Sequence, residues 1–120
     1  MIDFVSTPYS ESTIIIEVSG EFTDMDRNYF FDCVGDFVEV GYKNIIVECH
    51  KLGHLNNGNF QSLLKARKMA KGSTSQIYLT HVSSNLGKAL EITKLGQLLS
   101  IYRTTELAIS NIERQLACVG

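Results

Sequence analysis

The spacing of apolar residues along the chain changes period several times, and each change marks an element. Ile14 to Val18 (IIIEV) is a β-branched run closed by Ser19-Gly20, and Ile2 to Val5 is a weaker strand ahead of a turn at Pro8 to Ser12. From Phe30 onward, Phe30, Cys33, Val34, Phe37 and Val38 recur at helical spacing, with Thr23 or Asp24 as N-cap and Gly41 as terminator. Asn44 to Cys49 (NIIVEC) is the most apolar strand, and its unbroken Ile45-Ile46-Val47 run implies burial on both faces at the centre of a sheet. A second helix is predicted from Asn59 to Lys71, closed by Gly72, followed by a strand from Gln76 to Thr80. Ser83 or Ser84 then caps a third helix through Leu86, Ala89, Leu90 and Thr93 that ends near Gly96. Leu98 to Tyr102 is a short strand, and Thr104 or Thr105 caps a last helix with Ala108, Ile109, Ile112 and Leu116 on one face. This alternation predicts an α/β fold, a mixed β-sheet of about five strands covered by about four helices, built as a single domain over residues 1–120.

One junction breaks the simple reading. Residues 53–60 read GHLNNGNF, and Asn-Gly is a strong hairpin signal when alternating apolar residues flank it. Here a strand precedes the pair, while Phe60, Leu63, Leu64 and Ala70 follow at helical spacing. The pair therefore marks a strand-to-helix junction, with Asn56 or Asn57 placed to cap the second helix. In α/β domains such junctions, at the C-terminal ends of strands, are where ligands and partners meet the chain.

Composition narrows the classes. The chain has 120 residues, 44% hydrophobic and 20% charged, with a net charge of -2, which suits an ordinary globular domain and argues against a nucleic-acid partner. Met1 leads directly into IDFVSTPYS without a basic and apolar leader, and no apolar run approaches the roughly 18 residues of a membrane span. A cytoplasmic protein without membrane insertion is expected. Cys33, Cys49 and Cys118 are widely spaced and form no CxxC, as reduced, buried thiols would.

Motifs for chemistry are scarce. The sequence has no GxSxG, GxxxxGK[ST], HExxH or GxGxxG, so an enzyme is not expected and no cofactor is called for. Cys49, His50 and His54 crowd together, but adjacent strand residues point to opposite faces and a loop separates the histidines, so no metal is expected there. His81, just after a strand, reads as a polar loop residue. Lys65, Arg67, Lys68 and Lys71 spread round the second helix, either as a solvated face or as a docking surface for an acidic partner.

Taken in order, the elements resemble the STAS domain, the fold of bacterial anti-sigma-factor antagonists and of sulfate-transporter tails. The similarity lies in Gly20-Glu21-Phe22-Thr23-Asp24, with the aspartate one place later than usual, and in the strand IIVEC with the following KLGHL. It is strongest in Val82-Ser83-Ser84, Leu90, Thr93-Lys94-Leu95-Gly96, Leu98-Leu99, Ile101-Tyr102 and Thr105-Glu106-Leu107-Ala108-Ile109. The family's loop before the second helix reads Asp-Ser-Ser-Gly-Leu or Asp-Ser-Ala-Gly-Leu, and a partner kinase phosphorylates a serine in it. An ungapped match of the apolar positions sets Asn56-Asn57-Gly58-Asn59 against Asp-Ser-Ser-Gly, with Phe60 in place of the leucine and Gly58 at the acceptor. Anchoring on the glycine instead puts Asn57 at the acceptor. Neither residue carries a hydroxyl; Ser62 lies about one turn inside the helix, and Ser83 or Ser84 at the next loop is an alternative acceptor whose presence capping already explains.

The resemblance implies a non-enzymatic protein-interaction module. It would dock a regulatory partner, an anti-sigma factor or related serine kinase, through residues 53–60 and the following helix, without the usual serine phosphorylation. Asn56, Asn57, Gly58 and Asn59 are the expected contacts, with Lys65 and Lys68 at the rim. An accessory STAS subunit of a lipid ABC transporter and a nucleotide-binding sensory module are the alternatives, and a homodimer is compatible with any of them.

Overall fold

The computed structural model describes residues 2–20, 26–52, 57–84, 87–88 and 99–119, with the backbone alone at 2, 26–27, 57–62 and 116–119. Five strands form one sheet: β1 (Ile2–Pro8), β2 (Thr13–Gly20), β3 (Asn44–Leu52), β4 (Gln76–Thr80) and β5 (Ser100–Tyr102), in the order β1-β2-β3-β4-β5. β1 and β2 pair antiparallel, and every later pairing is parallel. Three helices are described, α1 (Asp26–Val40), α2 (Asn57–Gly72) and α3 (Thr105–Val119). The mixed α/β sheet matches the reading of the sequence. The helix expected through Leu86 and Thr93 lies mostly outside the described residues, although Gly87 N donates to Ser83 O at 2.8 Å, as a helical turn requires.

Strand alternation sorts the core into two layers. Ile14, Ile16 and Val18 of β2, Ile45, Val47 and Cys49 of β3, and Ile77 and Leu79 of β4 pack with Phe30 and Val34 of α1 and Leu63, Ala66 and Ala70 of α2. On the opposite face, Ile46 and Tyr78 are buried under Ala108 and Ile112 of α3. The Ile45-Ile46-Val47 run is buried on both faces, as an apolar strand at a sheet centre must be.

Element ends depart from the sequence reading at three points. β1 continues to Pro8, which an edge strand tolerates because a missing N–H there faces no neighbour. Gly41 does end α1 in a left-handed turn, at φ 116°, with Tyr42 N donating to Phe37 O at 3.1 Å. Gly72 plays no such part for α2: the left-handed residue is Thr74, at φ 61°, and Ser75 N closes back onto Ala70 O at 2.8 Å. Third, β3 runs to Leu52, beyond the expected end at Cys49, and keeps His50 on the strand.

Candidate functional site

The parallel strands β2 to β5 bring their C-terminal ends to one edge of the sheet, and β3 ends there five residues before α2 begins at Asn57. Gly53, His54, Leu55 and Asn56 lie outside the described residues. The backbone is helical from Asn57, so Asn57, Gly58 and Asn59 occupy the first turn of α2, two residues earlier than the apolar spacing predicts. That turn carries no acidic residue, so no side chain of its own offsets the positive end of the helix dipole. Further along, Lys65 and Lys68 are exposed and three residues apart, which puts them on neighbouring positions of one helix face. Leu63, Ala66 and Ala70 take the buried face, and Arg67 is half-buried.

A second constellation, on the α3 face of the same edge, combines residues that the sequence reading treated separately or passed over. Glu17 and Glu48 are register partners on β2 and β3, and Glu48 is also opposite Thr80 of β4. The register then shifts, because Ser19 pairs with Lys51, leaving one extra residue on β3. This bulge breaks strict alternation: the adjacent residues His50 and Lys51 both reach Glu17, His50 Nε2 at 3.5 Å from Oε2 and Lys51 Nζ at 3.1 Å from Oε1. Cys49, in contrast, points into the opposite core, so Cys49 and His50 do diverge. Burial, and then the Glu48 charge, push the Cys49 thiol up to about 12.

The first turn of α3 completes this group. Thr104 Oγ1 accepts the Leu107 N–H at 3.2 Å and so is the N-cap, which frees Thr105 for another task. The Thr105 hydroxyl donates to Glu48 Oε2 and lies 3.0 Å from the hydroxyl of the fully buried Thr80. With its one proton committed to the carboxylate, Thr105 Oγ1 accepts from Thr80, giving a Thr80–Thr105–Glu48 relay. His81 stands at φ 55°, an uncommon backbone for a side chain of its size, and its Nε2 accepts the Thr105 N–H at 3.4 Å. The same nitrogen is 4.0 Å from Glu48 Oε2, and the His81 and His50 rings meet edge to face at 5.3 Å. The signal for this group was present in the sequence as two matching strands, IIIEV and IIVEC, each with one glutamate after three apolar residues. Parallel pairing in register sets those glutamates side by side.

No helix among the described residues is long and apolar enough to cross a membrane. No curated protein matches the sequence. An anti-sigma factor antagonist from Mycobacterium paratuberculosis has a similar structure, with a TM-score of 0.80 and 13% identity over 94% of this chain and 95% of that one. The anti-sigma factor antagonist SpoIIAA of Bacillus, in its unphosphorylated form, gives a TM-score of 0.77 at 16% identity, covering 92% and 96%. A variant of RsbS from Moorella thermoacetica gives 0.73 at 10% identity, covering 97% of each chain. At such identities the likeness is one of fold. The sequence itself matches the family model of the STAS domain over residues 5–108, and the chain belongs to the STAS domain family.

Proposed function

We propose that the chain is a non-enzymatic interaction module that works as an anti-sigma-factor antagonist or as a scaffold in such a pathway. It docks an anti-sigma factor or related serine kinase through residues 53–60 and α2. The observation that carries this reading is the composition of the α2 start. The first turn holds Asn57, Gly58 and Asn59, with neither a hydroxyl to phosphorylate nor an acidic residue, and exposed Lys65 and Lys68 follow on the same helix. A helix N-terminus together with two ammonium groups attracts acidic groups of a partner. Phosphate on a serine at this position would place nearly two negative charges there and repel them. Without that serine, docking is constitutive or controlled by other means.

Support for the reading comes from STAS family membership and from a fold shared with proteins described as anti-sigma factor antagonists. The test is affinity capture with the full chain as bait, combined with incubation of the purified chain with the captured kinase and ATP. Capture of an anti-sigma factor or serine kinase, with the intact mass unchanged after incubation, is the expected result. Recovery of an ABC-transporter ATPase in its place, or one phosphate mapped to residues 53–62, overturns the reading.

A further inference from the structure

The α3 face of the sheet edge carries a group of donors that docking does not use. Glu17 and Glu48 sit opposite each other on neighbouring strands, and like charges in that relation destabilise a sheet unless cations offset them. Lys51 answers one oxygen of Glu17, leaving Oε2 turned to His50. One donor atom from each of Glu17, Glu48 and His50 falls within 4.8 Å of the other two. Ligands at about 2.0–2.1 Å from a tetrahedral metal lie about 3.3 Å apart, so the 3.5 Å between His50 Nε2 and Glu17 Oε2 is already near a coordinating separation.

We propose that Glu17, Glu48 and His50 bind a divalent transition-metal cation of the zinc class on the α3 face of the sheet, with water as the fourth ligand. One imidazole and two carboxylates form a mixed N/O set that suits zinc and its neighbours better than magnesium or calcium. His81 Nε2, 4.0 Å from Glu48 Oε2, spends its lone pair on the Thr105 N–H, so His81 stands beside the site as a neighbour and not as a ligand. Support behind the donors is already built. The buried Thr80–Thr105 relay fixes the Glu48 carboxylate, and Lys51 holds the distal oxygen of Glu17, the outer hydrogen bonds that orient metal-binding carboxylates. A metal here spans β2 and β3, offsetting the paired carboxylate charge. The pairing of Cys49, His50 and His54 considered from sequence is replaced by donors that only the parallel register brings to His50. This site stands independently of partner docking through α2.

The test uses the full chain and Co2+ as a spectroscopic probe, with Zn2+ in parallel calorimetric titrations. The expected result is one Co2+ per chain with the visible bands of four-coordinate cobalt, displaced by Zn2+. Removing an outer partner of a metal ligand costs about 10- to 100-fold in affinity, so His50→Gln and Glu17→Gln, which remove ligands, should each cost at least about 100-fold. His54→Gln should change nothing, and Lys51→Ala, which removes the outer partner of Glu17, should weaken binding by about 10- to 100-fold. In the unaltered protein, Zn2+ should shift the side-chain resonances of His50 and leave those of His54 in place. Absence of saturable binding at one ion per chain, wild-type affinity in both ligand variants, or a shift confined to His54 would overturn the proposal.

Discussion

The hydroxyl of Thr105 donates to the carboxylate of Glu48, and this bond fastens the first residue of α3 to the central strand of the sheet. The carboxylate lies at the N-terminal end of α3, where a negative charge is favoured by the helix dipole. Thr105→Val keeps the shape and removes the donor, leaving a carboxylate with a side-chain exposure of only 18% short of a partner and Thr80 without its acceptor. Urea denaturation should show a loss of about 1–3 kcal/mol, and Thr105→Ser should recover most of it. Equal losses in both variants would mean that the methyl group, and not the hydroxyl, holds the helix.

Cys49 should make stability depend on alkaline pH. Its thiol is pushed up to about 12 in the fold, first by burial and then by the Glu48 charge, against 9.0 for an ordinary thiol. A raised acid pKa means that the unfolded chain ionises first. The contribution is therefore fully present below about pH 9 and is lost as pH rises toward 12. The rise from 9.0 to about 12 corresponds to about 4 kcal/mol. Cys49→Ala should lie below wild type at pH 7 because a buried side chain is truncated, and the gap should narrow steadily above pH 9. A gap that stays constant from pH 8 to pH 11 would sink this prediction.

Two turn residues should respond in opposite directions to exchange with glycine. Gly41 stands at φ 116° with nothing within 4 Å of where a Cβ would go, so Gly41→Ala is disfavoured by backbone conformation alone, by about 1–2 kcal/mol. Thr74 holds φ 61° with a β-branched side chain, and Thr74→Gly should relieve that strain and raise stability by about 1 kcal/mol. The gain is offset in part by loss of the bond from Lys43 Nζ to Thr74 Oγ1 at 3.2 Å, an exposed contact of small worth. Thermal melts of the two variants decide it; a lower midpoint for Thr74→Gly would show that the threonine contacts outweigh its strain.

The fold was legible wherever burial on one or both faces controls sequence. IIIEV, NIIVEC and QIYLT are strands because their apolar side chains fill the layers under α1, α2 and α3, and Phe30 and Val34 keep the period of a helix that covers a sheet. Ends were harder. The turn after α2 passes through Thr74 in a backbone conformation that threonine rarely adopts, and the extension of β3 to Leu52 depends on pairing with β2 across a bulge. The group around Glu48 could not be assembled by local spacing, because Glu17, Glu48, His81 and Thr105 are joined by parallel register and by the seating of α3. His81 looked like an ordinary loop residue until Thr105 met its ring.

The exposed lysines of α2 should govern partner capture by rate more than by lifetime. Lys65 and Lys68 lie at the solvated face of the helix, away from the buried Leu63, Ala66 and Ala70, so Lys65→Glu with Lys68→Glu should leave stability within about 0.5 kcal/mol of wild type. For a partner that docks acidic groups on this face, the double reversal turns attraction into repulsion during encounter. Surface plasmon resonance at low salt should show a lower association rate with a smaller change in dissociation, and the difference should shrink as salt shortens the reach of the charges. Gly58→Asp adds one negative charge within the first turn of the same helix and should weaken the complex in the same sense. If both variants bind the captured partner at wild-type rates across the salt series, the docking face is not the one formed by the start of α2 and its lysines.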